Sequence, residues 1–229
     1  MTTSDLTSSP IPVRGGAPRS LGSSVIAFTR QTWAGLRVLL GLTVILGIGY
    51  PLAVTGLGQL AFPWQANGSL LAADGSHVTS AAGSAHGPAI GSALIGQGFS
   101  GPTWFHPRPS AAGNGYDTLA SGGSNLGPTN PTLLKSVRER RAQVAAEDGV
   151  APGAVPPDAV TASASGLDPD ISPAYAREQV ARVAAARGIP VARVAALVEQ
   201  HVQGRTFGLL GEPRVDVLAL NLALTTMAP

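Results

Sequence analysis

The stretch VLLGLTVILGIGYPLAVTGLGQLAF, residues 38–62, decides the architecture of this chain. It holds 25 residues without a charge, and a helix of that length, at about 1.5 Å per residue, exceeds the roughly 30 Å hydrocarbon core of a bilayer. We favour a membrane helix over a buried core helix because neither face of the stretch carries polar residues at helical spacing. A cleaved signal peptide would have a shorter apolar part, about 7–15 residues. The sequence therefore predicts a retained transmembrane helix, to which we assign residues 35–62.

Small residues and a proline shape the surface of this helix. Pro51 lacks a backbone N–H, so we expect it to kink the helix or to interrupt one backbone hydrogen bond. Gly47 and Gly49 leave the helix thin, which permits close packing against other transmembrane helices. A lone anchor has no need of such packing, whereas a subunit of a membrane complex does.

The charges on either side of the apolar stretch predict its orientation. The first charge after it is Asp74, and the first basic residue after it is Arg108. The arginines that precede it are Arg14, Arg19, Arg30 and Arg37. By the positive-inside rule the N-terminus is cytoplasmic. The predicted organisation is a disordered cytoplasmic tail over 1–34, the helix over 35–62 and an extracytoplasmic domain over 63–229. This orientation also explains a pI near 9.5 without a nucleic-acid partner.

The composition limits what the domain behind the helix can be. The chain has no cysteine, which excludes disulfide bonds and thiolate metal sites. It has 29 glycines and 19 prolines, which indicate many turns. Residues 63–131 are dominated by Gly, Ser, Asn and Pro, a pattern typical of short strands and ordered loops. Because helical patterns follow, the predicted fold class is a mixed α/β (α+β) extracytoplasmic domain attached to a single N-terminal transmembrane helix.

The helical patterns have recognisable starts and ends. A helix is predicted over 131–147, with Asn130 as its N-cap. Residues 148–160 are predicted to be a loop or an insertion. The final apolar run, PRVDVLALNLAL over 213–224, is predicted to be a strand or a short helix that closes the core.

Residues 172–203 predict two helices joined by a tight turn. Ser172 caps the first helix, Gly188 ends it and Pro190 opens the second. A helix–Gly–helix pattern also occurs in DNA-binding proteins. We favour a structural helical hairpin, because the predicted topology keeps this segment outside the cytoplasm.

Motifs for catalysis, nucleotides or metals are weak. GQGFSG at 96–101 fits the letters of a dinucleotide-binding loop, but Pro102 follows and no helical pattern begins there, so we interpret it as chance. There is no phosphate-binding P-loop and no serine-hydrolase elbow. The histidines are scattered and lack the spacing of a zinc helix: His77, His86, His106 and His201.

The densest polar stretch is FHPRPSAAGNGYDTLASGGSNLGPTNP, residues 105–131, here called the polar loop. An arginine in it can bind a carboxylate or a phosphate in bidentate fashion. The candidate residues for docking a partner are Phe105, His106, Arg108 and Asp117. A second set has backbone N–H groups suited to an anion-binding nest: Ser121, Gly122, Gly123, Ser124 and Asn125. The alternative is an ordered loop pinned by a contact between Arg108 and Asp117.

Several stretches of the chain together match the motifs of one protein family: PWQANGSL (63–70), GSALIGQGF (91–99), FHPRPSA (105–111), SGGSNLGPTNP (121–131), VTASASGLDPDISP (160–173), RVAAARGI (182–189) and LNLAL (220–224). They resemble the C subunit of the Kdp potassium-transporting P-type ATPase. The resemblance covers most of the chain, keeps the motifs in order and includes Tyr50-Pro51-Leu52 within the apolar helix. The extended N-terminal tail and residues 76–90 depart from the family pattern as insertions.

The resemblance implies a bacterial inner-membrane complex for high-affinity potassium uptake. In that family an A subunit selects K⁺, a B subunit hydrolyses ATP and a very small F subunit accompanies them. The C subunit has assembly and stabilising roles and a chaperone-like effect on ATP binding by the B subunit. The resemblance implies no tightly bound cofactor, ATP shared with the catalytic subunit, and potassium as the transported ion. It also implies nucleotide contacts for residues 121–125, although the predicted orientation places them away from cytoplasmic ATP.

Three functions therefore stay open from the sequence. The first is a non-catalytic accessory subunit that holds the complex by its helix and lies over the outer mouth of the K⁺-selective subunit. The second is a free-standing, membrane-anchored extracytoplasmic enzyme. The third is a membrane-tethered regulator that uses the helical hairpin.

Overall fold

The structure is a computed structural model, and it describes residues 21–82 and 85–227. The chain divides into two compact units, one that ends at Gly56 and one that begins at Leu57, and each is described by itself. The predicted tail over residues 1–20 lies outside the described residues.

The first unit is built on a long helix. Helix α1 (Leu21–Val44) passes into a π-helical turn (Ile45–Gly49), and helix α2 (Tyr50–Ala61) continues from it. The part from Val25 to Ala61 is long and apolar enough to cross a membrane, and none of it is buried within the protein. The predicted apolar helix before residue 63 is confirmed, and among residues 21–82 and 85–227 it is the only helix long and apolar enough to span a membrane.

The helix begins earlier than the sequence analysis placed it. Residues 21–34, which we predicted as part of a disordered tail, are helical. The start of the membrane-spanning part at residue 35 stays a prediction. Polar residues in this part satisfy their hydroxyls within the helix: the Thr32 hydroxyl donates to the Phe28 carbonyl at 2.9 Å. Over residues 21–61 the helix is about 60 Å long, twice the hydrocarbon thickness of a bilayer.

Pro51 interrupts the regular helical hydrogen bonding, as predicted. The interruption takes the form of the π-helical turn that directly precedes the proline, in which the Tyr50 N–H donates to the Ile45 carbonyl, five residues back. Gly47 and Gly49 both lie in this turn. A β-carbon built at Gly47 or Gly49 would have its nearest neighbour at 3.9 or 3.7 Å, so neither glycine is required by the helix itself.

The second unit begins with the end of α2 and continues with a small sheet, followed by irregular backbone. A short helix α3 (Pro63–Ala66) leads into strands β1 (Leu70–Ala72), β2 (His77–Val78) and β3 (Ala89–Ser92). They form an antiparallel sheet in the order β2-β1-β3. No helix or strand is assigned between Ala93 and Asn130. The prediction of short strands and ordered loops over 63–131 is confirmed.

Helix α4 (Pro131–Asp148) follows, with the predicted N-cap. The Asn130 side chain accepts a hydrogen bond from the Thr132 N–H at 2.8 Å, and Gly149 ends the helix with a left-handed φ of 68°. The predicted loop over 148–160 contains a one-turn helix α5 (Pro157–Val160). It also adds buried side chains to the core: Val155, Ala159 and Val160.

The helical hairpin is present, and its first arm is broken. Helices α6 (Pro173–Glu178) and α7 (Val180–Arg187) meet at Gln179, and α8 (Val191–His201) returns after the turn. The Ser172 hydroxyl accepts the Tyr175 N–H at 3.1 Å, and Gly188 ends α7 with a φ of 68°. These signals were correctly interpreted from the sequence.

The C-terminal run forms both predicted kinds of element. Strand β5 (Val215–Asp216) pairs antiparallel with β4 (Asp170–Ile171), and helix α9 (Val217–Thr225) follows directly. The main core packs α9 against α6–α8 and the start of the polar loop. Its wholly buried side chains include Phe105, Val183, Val194, Val198, Leu220 and Leu224.

Candidate functional site

The polar loop begins with a backbone held between two buried amide side chains. The Phe105 N–H donates to Asn221 Oδ1 at 2.9 Å, and Asn221 Nδ2 donates to the Phe105 carbonyl at 2.9 Å. The His106 N–H donates to Gln179 Oε1 at 2.6 Å, and Gln179 Nε2 donates to the His106 carbonyl at 3.1 Å. Each amide offers a donor and an acceptor, as a neighbouring strand would. The backbone can therefore enter the core without losing hydrogen bonds.

A buried arginine, Arg182, holds the segment of backbone that precedes the polar loop. Arg182 Nε donates to Asp148 Oδ1 at 2.6 Å, with only 8% and 2% of the two side chains exposed. Its other nitrogens donate to Gln179 Oε1 at 2.6 Å and to the carbonyls of Pro102 and Trp104 at 3.0 and 2.9 Å. The guanidinium fork thus joins α4, α7 and the segment before the polar loop in one network.

A second arginine, Arg187, contacts the same segment before the polar loop. Arg187 Nε donates to the Thr103 carbonyl at 2.7 Å, and its guanidinium lies 4.6 Å from the centre of the Trp104 ring. Burial lowers the pKa of Arg187. Neither Arg182 nor Arg187 was singled out from the sequence, although both belong to the RVAAARGI motif noted there.

Arg108 does not contact the residue that we predicted. Its Nη1 donates to Asp168 Oδ2 at 2.8 Å, so the expected pairing with Asp117 was wrong. Asp117 Oδ1 instead accepts the Leu119 N–H at 2.9 Å, in a local turn. The Tyr116 hydroxyl donates to the Arg108 carbonyl. Burial, followed by the charge of Asp168, raises the pKa of that tyrosine.

The four residues predicted to dock a partner therefore lie in different surroundings. Phe105 is wholly buried, so its side chain packs in the core and presents no surface. His106 lies near Gly101, whose carbonyl is 2.8 Å from Nε2, and its Nδ1 is 3.7 Å from a Glu147 carboxylate oxygen. His106, Arg108 and Glu147 line a cavity of about 300 Å³ between the polar loop and α4.

The SGGSN residues, 121–125, are bound to a distant segment of the chain. The Ser121 hydroxyl and the Gly122 N–H both donate to the Ser165 carbonyl, at 2.9 and 2.8 Å. Gly123 lies so close to this segment that an added β-carbon would be 2.9 Å from the Ala164 carbonyl oxygen. No helix begins at 121–127. One backbone N–H of the predicted anion-binding nest, that of Gly122, is thus engaged within the domain, and so is the Ser121 hydroxyl.

The same loop exposes an apolar side chain that the sequence analysis passed over. Leu119 is 96% exposed, although Asp117 fixes its backbone N–H. Ser121, Ser124 and Asn125 are also exposed on this stretch. The available signal was a single leucine in a run of Gly, Ser and Asn, at a position that no core pattern required.

The four histidines lie in different surroundings. The His77 ring stacks on Trp64 with centroids 3.7 Å apart, and His86 Nδ1 lies 3.1 Å from an Asp74 carboxylate oxygen. His201 Nδ1 lies 2.8 Å from the Leu197 carbonyl. Within residues 21–82 and 85–227, no three His, Asp or Glu side chains are grouped as metal ligands.

Comparison with known proteins identifies the family. Residues 32–226 match the family described as KdpC, K⁺-transporting ATPase, c chain. The chain is 58% identical over 200 residues to the potassium-transporting ATPase KdpC subunit of Kineococcus radiotolerans, covering 87% of this chain and 95% of the relative. The KdpC subunit of Caulobacter vibrioides is 55% identical over 188 residues, covering 82% and 88%. That of Methylibium petroleiphilum is 53% identical over 197 residues, covering 86% and 97%. Since the matches extend over most of this chain and of each relative, the chain belongs to the KdpC family.

Proposed function

We propose that this chain is a non-catalytic accessory subunit of an ATP-driven, high-affinity potassium uptake complex, which it assembles and stabilises. Family membership carries the proposal, because the relatives are named as subunits of a potassium-transporting ATPase. The partners are a potassium-selective A subunit, an ATP-hydrolysing B subunit and a small F subunit in a bacterial inner membrane. The domain after the helix lies over the outer mouth of the A subunit.

The charge distribution supports an extracytoplasmic domain. Arg30 and Arg37 lie on the helix before the charge-free stretch, and Asp74 is the first charge after it. A reporter that is active only outside the cytoplasm, fused after Pro229, should therefore be active. Activity of a cytoplasmic reporter alone at that position would reverse the orientation.

The helix holds the complex through its smallest residues. Gly47 and Gly49 lie in the π-helical turn, Pro51 lies two residues after it, and all three are exposed. Small side chains let a neighbouring helix approach closely, and contact is the main source of helix association in lipid.

The polar loop acts by docking on the A subunit, and the contacts of residues 121–125 support this over nucleotide binding. Ser121 and Gly122 already donate to Ser165, which removes two donors from any phosphate. Arg108 is paired with Asp168. Leu119 is a side chain suited to a protein surface and not to a nucleotide phosphate.

Gly122→Asp separates docking from nucleotide contact. A β-carbon at Gly122 meets nothing closer than 4.0 Å, so the domain should fold. We expect a lower yield of complex and lower K⁺ uptake, while the complex that does form keeps its apparent ATP affinity. The matched control is Gly153→Asp, in the loop after α4, where an added β-carbon has no neighbour within 4 Å. A tenfold loss of ATP affinity with assembly unchanged would show that residues 121–125 bind the nucleotide and do not dock on the A subunit.

A further inference from the structure

A hairpin near the C-terminus of the domain presents a bare apolar tip. It comprises residues 203–214, here called the C-terminal hairpin, with sequence QGRTFGLLGEPR. Three large apolar side chains lie within four residues of one another at its tip. Their exposed fractions are 90% for Phe207, 81% for Leu209 and 63% for Leu210. Single exposed apolar residues are ordinary on a protein surface, but a group of them marks an interaction site.

The tip is held in one shape by its own backbone. The N–H groups of Gln203 and Arg214 donate to each other's carbonyls at 2.8 and 3.0 Å. Thr206 and Leu210 are paired in the same way at 2.9 and 3.0 Å. Phe207 has a φ of 55°, which is uncommon for a residue other than glycine. A strained aromatic residue that projects from a hydrogen-bonded turn is preorganised for insertion into a partner.

The base of the hairpin is electrically balanced. Arg205 Nη2 donates to both carboxylate oxygens of Glu212, at 2.9 and 2.8 Å, and Arg214 is paired with Asp170 at 3.1 Å. A loop that inserts among anionic lipids carries basic residues that remain available for the headgroups. Here both arginines have a carboxylate partner, so the charge around the tip favours an uncharged protein cleft over a lipid surface.

We propose that the C-terminal hairpin inserts Phe207, Leu209 and Leu210 into an apolar cleft on the outer face of the potassium-selective A subunit. This inference rests on the proposed function, which supplies the partner. It adds a second contact to that of the polar loop, and one of a different kind: an apolar anchor that contains an aromatic residue, the residue class enriched at the centre of protein interfaces.

Cross-linking from the tip tests the contact directly. Phe207→p-benzoylphenylalanine, irradiated in the assembled complex in its native membrane, should cross-link to the A subunit. The same photoreactive residue at Lys135, an exposed position on α4, serves as the comparison site. A cross-link from position 207 to lipid, or to no other chain, would overturn the inference.

A double substitution measures how much the contact matters. Phe207→Ser with Leu209→Ser should lower recovery of the A subunit about tenfold, because truncating a central aromatic anchor has an effect of that order. The control is Val191→Ser, which removes a 54% exposed apolar side chain at the start of α8 and should leave recovery unchanged. Full recovery by the double variant would refute the inference alone. Failure of the unaltered chain to recover any ATPase subunit would instead refute the proposed function.

Discussion

Two parts of the polar loop, close together in sequence, differ in burial: one packs into the domain and the other is mostly exposed. Residues 105–112 are buried or half-buried, and buried Gln179 and Asn221 hold the backbone at their start. Residues 117–125 are mostly exposed, and Leu119 at 96% is the extreme case. The difference teaches that one run of polar and small residues can pack into the fold in one part and stay exposed in the next, where we propose that it docks on a partner.

The first part depends most on Arg182, and its substitution should have the largest effect. Arg182→Met leaves the buried Asp148 without its partner and frees two carbonyls of the preceding segment. We expect a loss of about 3–5 kcal/mol in the free energy of unfolding, measured by urea titration of the purified chain. Arg177→Ala removes an ion pair to Glu199 in which both side chains are about half exposed, and it should change stability little. Equal effects of the two variants would mean that burial of the pair is unimportant.

Substitution of Gly166 tests how closely the exposed part of the polar loop, residues 117–125, packs on the domain. It has a φ of 69°, and an added β-carbon would lie 2.7 Å from the Gly122 carbonyl and from two atoms of Ala112. Gly166→Ala should therefore cost about 1–3 kcal/mol. Gly122→Ala, where the nearest atom is 4.0 Å away, should be close to neutral in the same urea titration. A neutral Gly166→Ala would show that the two segments do not pack as closely as described.

Glu178 gives the core a predicted pH dependence. Its Oε1 is buried with no hydrogen-bond partner among the described residues. Burial, followed by the charges of Asp148 and Asp158, raises its pKa from 4.5 to about 7. The folded state therefore holds this proton more tightly than the unfolded state does. The stability contribution falls as pH rises from about 4.5 and is fully lost above about 7.

Glu178→Gln mimics the protonated form and should remove this dependence. Relative to the unaltered chain, Tm should be about 2–4 °C higher at pH 8, and nearly equal at pH 4.5. Thermal unfolding at the two pH values measures the difference. A gain of the same size at both pH values would assign the effect to packing and not to titration.

Leu119→Ser should have the smallest effect on the domain itself. A side chain that is 96% exposed contributes almost nothing to the core, so Tm should not change. Recovery of the A subunit should nevertheless fall if the exposed part of the loop docks on that subunit, as we propose. Unchanged recovery would leave this part of the loop without the role proposed for it.

The sequence predicted local structure well wherever local chemistry decides it. Ser172, Gly188 and Asn130 each act through the backbone next to them, and their roles were correct. Pro51 disturbs the helix for the same kind of reason. The early start of the helix was missed because residues 21–34 contain Ser, Thr and Gly, which are weak helix formers. Composition does not reveal that the hydroxyls of Thr29 and Thr32 donate to carbonyls one turn earlier in the same helix.

The partners of the polar loop could not be predicted, because they come from far along the chain. Asn221 contacts Phe105 across 116 residues, and Asp168 contacts Arg108 across 60. A nearby carboxylate, Asp117, was the natural choice for Arg108, but its own backbone uses it for a turn. Leu119 and the C-terminal hairpin escaped notice because an exposed apolar residue and a buried one are the same letter in the sequence.

The proposed role as an accessory subunit is tested most directly by purifying the unaltered chain from its native membrane in a mild detergent, through an affinity tag at the C-terminus. We expect the A, B and F subunits of the potassium-transporting ATPase to be recovered with it. ATP hydrolysis should accompany the assembled complex and be absent when the chain is isolated from these subunits. Recovery of the chain as a monomer that hydrolyses substrate by itself would contradict the proposed accessory role.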